Sequence, residues 1–304
     1  MGAPTAARRG VAVKAVRDAI DAAVQRLLAA DPVARAGDDP EGVHQARVAT
    51  RRLRSDLRTF GPLLDPVWME SLRSEVKWLG GELGVAREAE VLLGHLRDRA
   101  RSLPCDDERA VSTVLDNAAG DREAAQARVA AVMCSPRYLD LVDRLVQGAI
   151  APRVRPEALA ATRADVTALA RKPWKKLRRD HAALGEHPSD PTLHALRIRA
   201  KRARYAVEAV AGVVEGDEPQ KFAAALTRVQ DVLGAHQDAV VAQQWLSQHV
   251  TGAAARRNGD GPSAAEIFAV GKLAGLLQAD ALEATAALPH AWKKVSKKHL
   301  REWM

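Results

Sequence analysis

Apolar residues recur at three- and four-residue intervals along nearly the whole chain, the period of amphipathic helices, while two-residue alternation is scarce. The pattern predicts helices over 5–30, 40–60, 66–82, 84–103, 107–133, 135–150, 156–184, 191–214, 218–233, 236–258, 263–288 and 290–303. Breakers set the boundaries: Asp31-Pro32, Gly61-Pro62, Leu103-Pro104, Ser135-Pro136, His187-Pro188, Gly216, Gly259-Asp260-Gly261-Pro262 and Leu288-Pro289. Asp39-Pro40 and Asp190-Pro191 each read as an Asp N-cap followed by proline at the first helical position. Short connections favour antiparallel neighbours. The expected fold class is therefore all-α.

Two of these helices share a pattern. In 40–60, His44, Arg47, Arg51, Arg54 and Arg58 form one stripe, and Ala46, Ala49, Leu53, Leu57 and Phe60 lie opposite. In 191–214, His194, Arg197, Lys201 and Arg204 form the stripe, opposed by Leu196, Ala203, Val207 and Val210. The copies lie 150 residues apart, with Arg52 matching Arg202. At the same offset Leu83-Gly84-Val85-Ala86-Arg87-Glu88 matches Leu233-Gly234-Ala235-His236-Gln237-Asp238. One offset across two separated motifs points to an internal duplication. Trp174-Lys175-Lys176-Leu177 and His181 match Trp292-Lys293-Lys294-Val295 and His299 at a shorter offset of 118 residues. The first half is thus expected to hold an additional helical segment near 104–156. The expected layout is one domain over 1–304, with a first half over 1–187 and a second over 188–304, as two helical bundles related by a pseudo-twofold axis.

Charge sharpens the picture. The 304 residues carry a net charge of +8, so a polyanionic partner is expected: nucleic acid, an anionic membrane or a phosphate polymer. No stretch reaches the apolar length of a membrane span, and no signal-peptide pattern follows Arg8 and Arg9, so a cytoplasmic protein is expected. Cys105 and Cys134 lack metal or redox spacing and read as packing residues.

The stripe from His44 to Arg58 runs about 21 Å at the helical rise, too long for one phosphate and suited to a chain of them. Arginine grips two phosphate oxygens with its planar fork, and lysine acts as a point charge. A cationic face is usually just solvated, but such faces mix acids with bases for pairing, and the first stripe has almost none. Glu208 replaces Arg58 in the second copy, so that stripe is less purely cationic. The two stripes are expected to line a central basic cavity or groove. Arg52, Arg202, Tyr205, Lys175, Lys176, Lys293 and Lys294 are candidate supporting residues. His44 and His194 read as phosphate donors. Metal binding is not expected, because the surrounding cations oppose it. The Leu-Gly motifs read as structural, with glycine allowing close packing or a kink and Glu88 and Asp238 orienting the basic residues. Trp174, Leu177 and His181, with Trp292, Val295 and His299, read as an apolar core face.

The spacing His44-x-x-Arg47-Val48-x-x-Arg51-Arg52-Leu53-Arg54, with His194-x-x-Arg197-Ile198-x-x-Lys201-Arg202-x-Arg204-Tyr205, resembles the conserved histidine α-helical domain (CHAD) family over about residues 5–304. The resemblance implies two related helical bundles that bind inorganic polyphosphate in a central basic cavity, and association with polyphosphate granules. Family members are often fused to a triphosphate tunnel domain, and no ExExK-type motif for one is seen in this sequence. The family's basic positions carry onto His44, Arg47, Arg51, Arg54, His194, Arg197, Lys201 and Arg204. The expectation is binding without catalysis, with no cofactor. The alternatives are a nucleic-acid-binding helical protein, for which base-stacking aromatics are not interleaved with the stripes, and a polyphosphate-processing enzyme, for which the stripes offer no carboxylates or nucleophile.

Overall fold

A computed structural model of the protein describes residues 10–37, 39–254 and 262–304, and every regular element among them is a helix. These are α1 (Val11–Ala36), α2 (Pro40–Thr59), α3 (Pro66–Ala100), α4 (Cys105–Ala110), α5 (Ser112–Met133), α6 (Pro136–Ile150), α7 (Arg163–Ala168), α8 (Arg171–Ala182), α9 (Asp190–Val210), α10 (Glu218–Ala254) and α11 (Ala264–Val295), with short 3₁₀ turns between some of them. The all-α expectation holds. The predicted start at residue 5 and the Gly259-Asp260-Gly261 break lie outside the described residues.

Helix α2 forms where the pattern places it. Asp39 caps it by accepting from the Glu41 amide at 2.8 Å, and Pro40 opens it. Its apolar face is fully buried through Ala46, Ala49, Leu53 and Leu57. Each such leucine contributes about 1.5–3 kcal/mol, and this burial offsets the repulsion within the arginine stripe. Helix α9 buries Leu196, Ala203, Val207 and Val210 in the same way. Its cap differs by one residue from expectation: Ser189 is the N-cap, and Asp190, already helical, lies 3.1 Å from Nε2 of the buried His236.

Several predicted breaks do not occur. α3 runs unbroken through Gly84 for 35 residues, and α10 runs through Gly234 for 37. Pro32 lies inside α1, which continues to Ala36 and ends at Gly37 in the left-handed region (φ 80°). The side chain of Asp31 holds this turn, accepting from Arg35 at 2.9 Å and from the Tyr138 hydroxyl at 2.5 Å. Pro289 lies inside α11, whose buried stripe of Leu288, Ala291 and Val295 carries the helix past it. In both places packing outweighs the lost backbone bond. Conversely, 156–184 is not one helix. A capping box between Thr162 and Asp165 starts α7, and Pro173 sits in the first turn of α8. Both signals stand in the sequence.

The segment 104–156 holds α4, α5 and α6; α5 packs on α1 and α3, and α6 on α1 and α3. Trp174, at 6% exposure, packs edge-on to Phe222 and stacked on Trp292, whose other neighbour is the His181 ring at 3.6 Å. The tryptophan face is therefore core, although His299 is exposed. Cys105 and Cys134 are free and exposed rather than packed.

The apolar interior falls into two main clusters. The larger takes in α1, α2, α9, the first part of α3 to Ala86 and the first part of α10 to Leu233. The smaller joins the far part of α3 (Leu93, Leu96, Ala100) to Ala242 and Leu246 of α10, and to α5 and α11. α3 and α10 span both.

Candidate functional site

The interval between the two clusters is polar. Here α2, α3, α9 and α10 enclose a cavity of about 300 Å³. Arg47 and Arg51 reach it from α2, Arg87 from α3, and His194, Arg197 and Lys201 from α9. Its carboxylates are Glu88 and Asp238.

Its first wall is built from one contact. The Arg47 guanidinium donates to Glu88 at 3.0 Å, one turn beyond Gly84 on α3. A Cβ on Gly84 would overlap the Arg47 Nη1 atom, so glycine is what lets that guanidinium lie against α3. The corresponding pair is looser: a Cβ on Gly234 would stand 3.9 Å from Arg197 Nε. His194 Nδ1 lies 2.5 Å from Gln237 Oε1, which fixes the ring against α10.

Concentrated positive charge leaves its mark on the ionisation of these groups. Burial, reinforced by Arg197, Arg51 and Arg47, brings Lys201 down to about 7. Burial also lowers Arg51 and His44, with Arg87 the first charge acting on the histidine. Asp238 is raised by burial against the pull of Arg197. The Nε atoms of Arg51, Arg54 and Arg197 are buried without a hydrogen-bond partner. The guanidinium groups of Arg51 and Arg197 at the cavity wall can donate to the oxygens of a multiply charged anion.

The remaining sequence candidates separate from this cavity. His44 is half-buried beside it. Arg204 is held by Glu208 at 2.6 Å and by Gln230 at 3.0 Å. Arg52 is engaged by Asp56 at 3.1 Å and by Glu208. Between them lies the buried Tyr205 ring, with the guanidinium carbons of Arg204, Arg51 and Arg52 at 4.3, 5.6 and 6.0 Å from its centre. Arg58 and Arg202 line a different cavity with Lys176, and Lys175 and Lys176 line an exposed groove on α8. Lys293 and Lys294 are exposed near the end of α11.

Arg87 and Gln237 are wall residues that the stripe pattern does not reveal. Their signal is the spacing on α3 and α10. Positions 84, 87, 88 and 91, and likewise 234, 237, 238 and 241, share one helical face.

Fold and site together define an all-helical domain organised around two cationic helices. A family model described as the CHAD domain matches residues 18–247, and the chain belongs to that family. It is 32% identical over 247 residues to uncharacterized proteins from two strains of Mycobacterium tuberculosis, a match covering 78% of this chain and 46% of each relative. The chain thus spans about half the length of the curated relatives it matches. Among solved structures it is similar to PptA from Streptomyces chartreusis, with a TM-score of 0.77 at 24% identity, covering 94% of this chain and 99% of that one. The CHAD domain from the plant Ricinus communis superposes with a TM-score of 0.72 at 24% identity, covering 97% and 94% respectively. These likenesses show the fold. No helix among the described residues is long and apolar enough to cross a membrane.

Proposed function

We propose that the protein binds inorganic polyphosphate in the cavity between α2, α3, α9 and α10, and does so without cleaving it. The carrying observation is the set of cations that converge there from three helices, with the arginine Nε atoms of Arg51 and Arg197 left unpaired beside it. A phosphate chain supplies closely spaced oxygens for such donors and charge to relieve their mutual repulsion. The two carboxylates at the wall serve the cations: Glu88 holds Arg47, and Asp238 lies in the field of Arg197 and Lys201.

Titration with polyphosphate of several lengths tests this reading. Binding is expected to weaken steeply with salt, because many counterions are released together. Replacing Arg51→Glu and Lys201→Glu together is expected to abolish binding with the helical content retained; undiminished binding would overturn the site. Phosphate release by the purified protein with Mg²⁺ would overturn the non-catalytic reading. Displacement of polyphosphate by duplex DNA at equal phosphate concentration would favour a nucleic-acid partner instead.

A further inference from the structure

The cationic lining of the central cavity does not continue on every side. Past Asp238 the neighbouring cavity, of about 700 Å³, carries Asp98, Asp231, Asp280 and Glu283 against Arg99 and His95. A polyanion is repelled there. Toward the end of α9, Glu208 pairs with both Arg204 and Arg52, so those cations are already engaged.

The end of α2 is the opposite case. Arg58 stands where the second copy has Glu208, and the cations beside it are Arg202, Arg54 and Arg73, with Glu70 acting more weakly against them. That crowding, after burial, brings Arg58 down to about 10, and Arg202 is lowered for the same reasons with Arg199 and Arg54 as its neighbours. Arg54 lies one turn from both Arg51 and Arg58 along α2, and its charge acts on Arg58 and Arg202, although it lines neither cavity itself. Arg58 and Arg202 line a cavity of about 430 Å³ with Lys172 and Lys176 of α8. Ser55 and Thr59 add hydroxyls, and Arg199, also at the wall, is held by Asp180 at 2.8 Å. Lys172 and Lys176 in turn line the adjoining α8 groove with Arg171, Lys175 and Arg179.

We infer that a condensed phosphate chain too long for the central cavity continues past Arg54 onto a second site made by Arg58, Arg202, Lys172 and Lys176. The inference rests on the reading of the central cavity as a polyphosphate site. It makes the protein directional: a bound chain overhangs toward α8, and long chains gain a second grip that short ones lack.

The test compares tripolyphosphate with long-chain polyphosphate on the full chain. Lys172→Ala/Lys176→Ala is expected to leave tripolyphosphate binding unchanged, lower long-chain affinity roughly tenfold and reduce the salt slope by roughly one to two. Arg58→Glu is expected to cause the same long-chain loss without lowering the unfolding midpoint, since Arg54 and Arg202 gain a partner. Long-chain preference intact in both variants overturns the second site while leaving the central one standing. Wild-type protein that binds neither ligand takes down both. Single-stranded DNA that displaces the long chain at equal phosphate concentration reassigns the track to nucleic acid and overturns the inference.

Discussion

The Arg47 guanidinium donates to the Glu88 carboxylate at 3.0 Å, in space that exists because residue 84 has no side chain. The Leu-Gly motif and the cationic stripe, separate in the sequence, are two sides of one contact. α3 continues through the glycine, whose missing methyl group sets the depth at which a guanidinium can lie.

This makes the two glycines unequal. Gly84→Ala places a methyl group onto Arg47, whose flexible end swings away, so polyphosphate affinity is expected to fall without loss of stability. Gly234→Ala meets Arg197 only at ordinary contact distance. It is expected to leave affinity intact and to stabilise the protein by up to about 1 kcal/mol through helix propensity. Denaturant unfolding with a binding titration separates the two.

Lys201 gives the site a pH dependence. With its folded value brought down to about 7, it loses charge as pH rises through neutrality. Polyphosphate affinity is expected to be greatest below pH 7 and to decline above it, and Lys201→Arg is expected to flatten the profile. The stability effect has the opposite sign. Between about pH 7 and the ordinary lysine range the unfolded chain binds the extra proton, so this group's penalty on folding fades as pH rises. Unfolding curves from pH 6 to 9 for wild type and Lys201→Arg read that difference.

Glu208→Gln is expected to reveal how the second stripe is held in check. Arg52 keeps Asp56 and Arg204 keeps Gln230, but both lose a charged partner. Stability should drop by about 1–3 kcal/mol, while polyphosphate affinity rises severalfold because Arg204 is released beside Arg51. Calorimetric titration and thermal unfolding should move in opposite directions.

Tyr138→Phe is the control far from the site. It removes the hydroxyl that donates to Asp31 in the buried α1–α6 contact. A loss of about 1–2 kcal/mol in stability is expected, with polyphosphate binding unchanged.

The helical class, the α2 cap and both cationic stripes were legible in the sequence because periodicity and capping are local. What was not legible follows from packing. Pro32 and Pro289 read as breaks, yet the buried stripes on either side hold the helices together. Arg204 looks like Arg54 in the pattern, and only the folded chain shows Glu208 and Gln230 closing on it. Arg58 lies in line with Arg51, but neighbouring helices divide their stripe between two cavities.

The position of the central cavity has a consequence for cooperativity. α3 buries Leu83 and Ala86 in one apolar cluster and Leu93 and Leu96 in the other, and α10 does likewise with Leu233 and Leu246. Between them stand Arg87, Glu88, Gln237 and Asp238. The two clusters are thus bridged along these rods by backbone and charge, with the small apolar group of Ala239, Val240 and Ala281 beside them, and they are expected to open as separate units in amide hydrogen exchange. An anion seated at that waist would bind both sides and couple their opening, so the ligand would act as a missing piece of the protein's own interior.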